Sequence, residues 1–321
     1  MTEEQLLQYL AQNLPRERLI AGVGDDCAVV EEEGQWLLLT TDAMIEGIHF
    51  ELSYFSPTHL ARKLAAINLS DIAAMGGRPK YALLTIGFPA PPQEDFVKAF
   101  FQALNERLAE FGAQLVGGDT VRSPSGLFLN LVLIGTTAPG KAIFRSRAKV
   151  GDLVFVSRPL GAASAGLEQL QKGLFEPKAL VEAHLDPTPE IELGLRLAEA
   201  GLPSAMMDIS DGLAIDLTRL CKASGVGAEI HEEKIPLMQE IYQTKLSRPA
   251  LWYALAGGED FALLFTLPPE REKDLWTLFS SLERKPFKIG YIIPETNNVV
   301  YLLHQDGAKE EISSLGFDHF A

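Results

Sequence analysis

The chain has 321 residues, is 47% hydrophobic and 22% charged, and carries a formal net charge of −15. Its length predicts two domains of about 150 residues each, and its acidic balance excludes a nucleic-acid surface, which needs stripes of Lys and Arg. Cys27 and Cys221 are the only cysteines and form no CxxC pair, which excludes a disulfide framework or a zinc site. No apolar run reaches the roughly 20 residues of a membrane span, so no membrane partner is expected. The acidic start at Met1-Thr2-Glu3-Glu4 opens an amphipathic helix instead of an apolar signal region, and a cytoplasmic protein is expected.

In chain order, the pattern predicts a helix over residues 2–12 and short strands over 28–31 and 36–41, split by a Glu-rich turn at Gly34. Pro57 near its start, apolar residues at Leu60, Leu64, Ile67 and Ile72, and Gly76-Gly77 beyond its end predict a helix over 57–75. Strands over 81–88, 114–116 and 127–136 and a helix over about 93–111 complete the first half. A stretch rich in Pro, Gly and basic residues, 139–151, marks the boundary. The second half predicts strands over 153–156, 205–209, 228–231, 261–265, 288–293 and 298–303. Helices are predicted over 161–173, 177–184, 189–200, 212–224 and 269–283. The expected fold is α+β, or mixed α/β, with domains at 1–140 and 148–321.

Four stretches set a carboxylate beside glycine or a hydroxyl residue after an apolar run: Gly24-Asp25-Asp26, Thr40-Thr41-Asp42, Gly117-Gly118-Asp119-Thr120 and Asp208-Ile209-Ser210-Asp211-Gly212. A fifth, Asn68-Leu69-Ser70-Asp71, sits in the predicted helix 57–75, with Asn68 and Asp71 on one face. Carboxylates gathered at strand ends repel one another unless cations sit among them, and oxygen-only ligands suit hard divalent ions. The same ions neutralise phosphates, so the pattern points to a Mg²⁺-dependent phosphate enzyme. Ser210 or Asp211 as an N-cap explains one side chain and leaves Asp208 unexplained. Two adjacent glycines at 117 and 118 allow close approach of backbone to a ligand. Gly135 through Lys141 fits G-x-x-x-x-G-K, but Ala142 stands where the phosphate loop needs Ser or Thr, and no helix opens after it.

In order along the chain, these elements, with Glu46-Gly47-Ile48-His49-Phe50, Gly257-Gly258-Glu259-Asp260-Phe261 and the terminal Gly316-Phe317-Asp318-His319-Phe320, resemble the thiamine-monophosphate kinases. That family lies in the ATP-binding superfamily of aminoimidazole ribonucleotide synthetase and selenophosphate synthetase. The resemblance implies a homodimer whose N-terminal domains join into a barrel-like layer, and a C-terminal mixed sheet with helices that completes the active site. It implies the reaction of ATP with thiamine monophosphate to give thiamine diphosphate. By the same resemblance Asp26, Thr40, Thr41, Asp42, Asp71, Asp119, Asp208 and Asp211 bind several Mg²⁺ ions. Gly118, Asp119, Arg145 and Ser210 meet ATP, and His49, Glu259 and Phe317 meet thiamine monophosphate. Two positions depart from the pattern: Arg147 stands where Gly is expected, and Glu190 where Arg is expected.

The chemistry suits this inventory. The acceptor is a phosphate and needs no strong general base, so positioning and charge neutralisation suffice. Selenophosphate synthetase would show a reactive Cys in a glycine-rich loop near the start, and nothing before Gly22 resembles one. A non-catalytic cation-binding protein would show sequential Asp-x-Asp-x-Asp ligands, which are also missing.

Overall fold

The computed structural model describes residues 3–14, 17, 19–282, 284–294 and 297–316. The first half runs α1 (Glu3–Asn13), β1 (Leu19–Ala21), β2 (Ala28–Glu32), β3 (Gln35–Ile45), α2 (Pro57–Ala74), β4 (Arg78–Phe88), α3 (Glu94–Glu110), β5 (Gln114–Arg122) and β6 (Phe128–Thr137). The strands form one six-stranded sheet in the order β1-β2-β3-β6-β4-β5. Only β4 and β5 pair in parallel; the other neighbours are antiparallel. Along β6, Leu129, Leu131 and Leu133 are buried on one face, the two-residue period of a half-covered strand.

The second half runs β7 (Leu153–Val156), α4 (Ala162–Gln171), α5 (Lys178–Leu185), α6 (Ile191–Ala200), β8 (Ala205–Asp208), α7 (Leu213–Ser224), β9 (Gly227–His231), α8 (Gln239–Tyr242), α9 (Ala250–Ala256), β10 (Leu263–Leu267), α10 (Glu272–Ser280), β11 (Phe287–Ile293), β12 (Val300–Leu303) and β13 (Lys309–Glu311). Its seven strands order as β13-β12-β9-β11-β7-β10-β8. Only β9 and β12 are parallel, so this sheet is mixed as well. The mixed α/β class is therefore as expected.

Helix α2 positions the site. Pro57 opens it, and the Ser56 side chain accepts His59 N–H at 3.1 Å as the cap. It is buried on nearly every side and touches β3, β6, α3, α6 and β8. Leu60, Leu64, Leu69 and Ile72 share a core with Leu131 and Leu133 of the first sheet and Leu193 and Leu197 of α6. Each such leucine contributes about 1.5–3 kcal/mol by its burial. Where α2 crosses α6, a Cβ on Gly194 would stand 2.1 Å from Ala73 O, so only glycine permits this approach.

Two expectations need correction. The strand predicted over 36–41 continues through Ile45, which puts Thr40, Thr41 and Asp42 inside β3 instead of at its end. The strand predicted over 114–116 continues to Arg122, because β4 supplies a partner across Gly117-Gly118-Asp119. Among the described residues of one chain the first sheet is open, with β1 and β5 as edges, and no closed barrel forms.

Candidate active site

Three carboxylates from distant parts of the chain converge. Asp26 precedes β2, Asp71 belongs to α2 and Asp208 ends β8, and an oxygen of each lies within 4.8 Å of the others. Thr40 donates its hydroxyl to Asp71 Oδ2, and Ser70 donates to Asp208 Oδ2. Asn68 Oδ1 accepts Asp42 N–H at 3.1 Å, which ties β3 to α2 beside the cluster. Arg145 supplies the nearest cation, with Nη2 2.6 Å from Asp26 Oδ1 and Nε 3.7 Å from Asp25 Oδ1.

One guanidinium cannot neutralise this many carboxylates. Burial, followed by repulsion from Asp26, raises Asp25 to about 7. Burial raises Asp42 to about 6, against the hydrogen bond from Asp71. Asp71 and Asp208 are pushed well above the ordinary range by burial and then by their carboxylate neighbours. Asp26 Oδ2 is buried and has no hydrogen-bond partner among the described residues. An orphaned oxygen on a carboxylate that converges with two others fits a hard divalent cation, and every donor in the cluster is oxygen.

The turn after β8 is held from α7. Asp216 is fully buried, and its Oδ2 accepts both Ser210 N–H and Asp211 N–H at 3.0 Å. Arg219, one turn further along, bridges Asp216 and Asp211. Gly212 takes the capping position at φ +117, so neither Ser210 nor Asp211 caps α7. The local reading of this motif as an N-cap fails, and both residues line the cleft.

The cleft has a volume of about 730 Å³ and spans both halves of the chain. Asp42, Asp71, Asp208, Ser210 and Asp211 line one part of it, while Met44, Phe50, Tyr54, Ile67 and Leu170 line an apolar part. Glu259 faces the same space from a left-handed backbone at φ +60, a conformation that costs a non-glycine residue about 1–2 kcal/mol. The conformation persists because Glu259 N–H donates to Ser210 O at 2.6 Å and Phe261 N–H to Ile209 O at 2.8 Å. Arg158 donates to the carbonyls of Asp260 and Phe261, and Asp260 accepts Gly161 N–H at 2.7 Å.

His49 also lines the cleft, and its Nδ1 accepts Ile45 N–H at 3.1 Å, which puts the ring proton on Nε2. Thr41 does not join the carboxylate cluster: it points to the opposite face from Thr40 and donates to Asn130 Oδ1 at 3.0 Å. Gly118 and Asp119 lie on edge strand β5, which is separated from β3 by β6 and β4. Three strand spacings amount to about 14 Å, too far for Asp119 and Asp42 of one chain to share an ion. Gly118 has a packing explanation, because a Cβ there would stand 1.8 Å from Leu84 O. Phe317 lies outside the described residues.

Both sequence departures are accommodated. Arg147 stacks on Phe144, with its guanidinium 4.6 Å from the ring centroid. Glu190 is buried between Arg158 and Arg284, at 3.7 and 3.1 Å. Sequence reasoning missed Lys63, His184 and Asp216. Lys63 carries a signal, since it interrupts the apolar stripe of α2, but nothing local marks His184. The cysteines are packed side chains: both are buried, and burial pushes the Cys221 thiol up to about 12.

Two mixed sheets joined across a carboxylate-lined cleft define a two-domain, phosphate-handling class of protein. Residues 24–137 match the family described as AIR synthase related protein, N-terminal domain, and residues 149–302 match its C-terminal domain. Thiamine-monophosphate kinase of Aquifex aeolicus is 40% identical over 304 residues, covering 93% of this chain and 92% of that protein. The Haemophilus influenzae enzyme of the same name is 38% identical over 304 residues, covering 93% and 91%. A solved structure described as AaThiL complexed with AMPPCP and TMP superposes with a TM-score of 0.87 at 34% identity, covering 99% of this chain and 97% of that one. The chain belongs to the thiamine-monophosphate kinase family. Hydrogenase maturation protein HypE, at 19% identity and a TM-score of 0.71, shares the fold. Among the described residues no helix is long and apolar enough to cross a membrane.

Proposed function

We propose that this chain transfers the γ-phosphate of ATP to thiamine monophosphate, yielding ADP and thiamine diphosphate. The observation that carries the reading is the cleft itself, which sets converging carboxylates against an apolar, aromatic-lined part that also holds Glu51 and Glu259. A substrate with an anionic phosphate and a flat heteroaromatic head matches that division. Incubation with ATP, Mg²⁺ and thiamine monophosphate, followed by chromatography, tests it: thiamine diphosphate should accumulate in step with ADP. ADP release without thiamine diphosphate would overturn it.

Asp26, Asp71 and Asp208 would hold divalent cations, with Asp42 and Asp211 beside them, and Mg²⁺ is the ion we infer. When bound, such ions neutralise the phosphate oxygens as charge redistributes during transfer. Thr40 and Ser70 orient two of these carboxylates through their hydroxyls. We infer that Arg145 and Ser210 meet the ATP phosphates. The acceptor phosphate is the nucleophile, so no side chain needs to remove a proton, and the buried cysteines have no covalent role.

We further infer a homodimer. Strand β5 is an exposed edge, and Tyr81, Leu83, Val116 and Val121 of β4 and β5 expose apolar surface that a second copy would cover. Pairing there would bring the Gly118-Asp119 segment, and with it Thr41, toward a site completed by two copies. On this reading residues 1–140 bind ATP and ions and form the dimer, while 148–321 complete the site. The donor ATP and the two unpaired cysteines fit a cytoplasmic location.

A further inference from the structure

Glu259 meets two buried side chains that the phosphate chemistry does not use. Lys63 Nζ of α2 lies 2.8 Å from Oε1, and His184 Nδ1 of α5 lies 2.9 Å from Oε2. Both partners are 1% exposed, whereas Glu259 is 30% exposed and faces the cleft. Lys63 sits 5.4 Å from the Phe55 ring centroid, and the His184 ring packs on Phe55 at 5.6 Å. The clamp is therefore a rigid wall made by α2, α5 and the segment before α2.

Charge decides what this wall does. Burial lowers His184, and the Lys63 ammonium lowers it further, against the pull of Glu259, so the neutral imidazole is favoured beside the carboxylate. Burial alone would raise Glu259, but Lys63 and then His184 outweigh it and hold the carboxyl well below the ordinary range. The carboxylate and ammonium cancel at contact distance. A compensated pair attracts a distant cation only weakly, yet the carboxylate keeps open lone pairs on its cleft side.

We propose that Lys63 and His184 are positioning residues that fix Glu259 as a charge-compensated acceptor for an N–H donor on the heteroaromatic head of the substrate. The cleft then selects its acceptor by an amino group on that head and not by positive charge. The inference rests on thiamine monophosphate being the acceptor, whose aminopyrimidine carries such a donor.

The test compares thiamine monophosphate with oxythiamine monophosphate, in which an oxo group replaces the amino group and the thiazolium is unchanged. The wild type should favour the amino compound at least about ten-fold in kcat/KM, because the exocyclic donor that Glu259 would accept is replaced by an acceptor at the same position. Glu259→Gln, whose amide can donate to the oxo group, should bring the ratio below about three-fold with the KM for ATP within about two-fold of wild type. His184→Leu and Lys63→Met should also lower the ratio, and His184→Asn, which keeps a donor near Nδ1, should restore it. A merely structural role would change stability and leave the ratio where it was. A ratio near one in the wild type, or an unchanged ratio in folded Glu259→Gln and His184→Leu, overturns the proposal. A wild type that makes no thiamine diphosphate from ATP and thiamine monophosphate overturns the proposed reaction instead.

Discussion

Arg145 holds Asp26 through one oxygen only: Nη2 meets Oδ1 at 2.6 Å, while the buried Oδ2 has no partner among the described residues. The guanidinium engages one oxygen and leaves the other open, in a carboxylate that has an oxygen within 4.8 Å of Asp71 and Asp208. This places Asp26, an otherwise unremarkable residue of a loop, among the groups that would hold an ion.

Asp26→Asn, Asp42→Asn and Asp71→Asn should each reduce turnover at least about a hundred-fold, roughly 2.7 kcal/mol of transition-state stabilisation. Each removes a charge from the ion-binding set while keeping the side-chain shape. Circular dichroism should show an unchanged fold, and the melting temperature of the metal-free variants should equal or exceed that of the wild type, because a repelling carboxylate is gone. Wild-type kinetics in any one of them would remove that residue from the set.

The stability of the metal-stripped protein should fall as pH rises. Asp42 at about 6 and Asp25 at about 7 hold protons in the folded state that they release in the unfolded chain. A folded-state pKa above the unfolded one stabilises at low pH and loses that contribution as pH rises through the folded value. Melting temperature should therefore drop between about pH 5 and pH 8, and added Mg²⁺ should raise it more at the higher pH. Thermal melts at several pH values, with and without the ion, read this directly; a rise with pH in the stripped protein would contradict the carboxylate assignments.

Asp119 gives a test of the two-copy site. If it serves the partner's cluster, mixing Asp42→Asn chains with Asp119→Asn chains should recover about a quarter of wild-type activity, since half the dimers are mixed and one site in each is intact. Each variant alone should be inactive. A mixture as inactive as its components would place Asp119 with its own chain's carboxylates, and an active Asp119→Asn would place it outside the site.

Gly118→Ala should destabilise the protein by about 1–3 kcal/mol, the range for forcing extra volume into a packed site. The new Cβ would strike Leu84 O, which is backbone and cannot turn aside. Differential scanning calorimetry measures the loss. An unchanged melting temperature would mean that β5 does not pack on β4 in this way.

The acidic motifs are legible in the sequence because each is local: a small or hydroxyl residue and an aspartate follow an apolar run. The helix over 57–75 is equally plain, with Pro57 and Gly76 marking its ends. Local patterns fail where the answer depends on a neighbour strand. Thr40 and Thr41 look equivalent as letters, but a strand turns successive side chains to opposite faces, and only Thr40 reaches Asp71. Gly118 reads as a ligand-binding glycine until β4 is laid beside it. His184 is invisible for a similar reason: its partner Glu259 is brought to it by tertiary packing, across α2 and α5.

One helix carries both ends of the cleft. Lys63 and Asp71 are eight residues apart on α2, which at 1.5 Å per residue is about 12 Å along its axis. Wedged between the first sheet, α3, α6 and β8, that helix has no room to slide. On the proposed reading it would work as a ruler, setting Glu259 against the head of the acceptor at one graduation and a carboxylate toward its phosphate at another. An acceptor lengthened or shortened by a methylene would arrive with its head seated and its phosphate out of line. The enzyme would measure its substrate as well as recognise it.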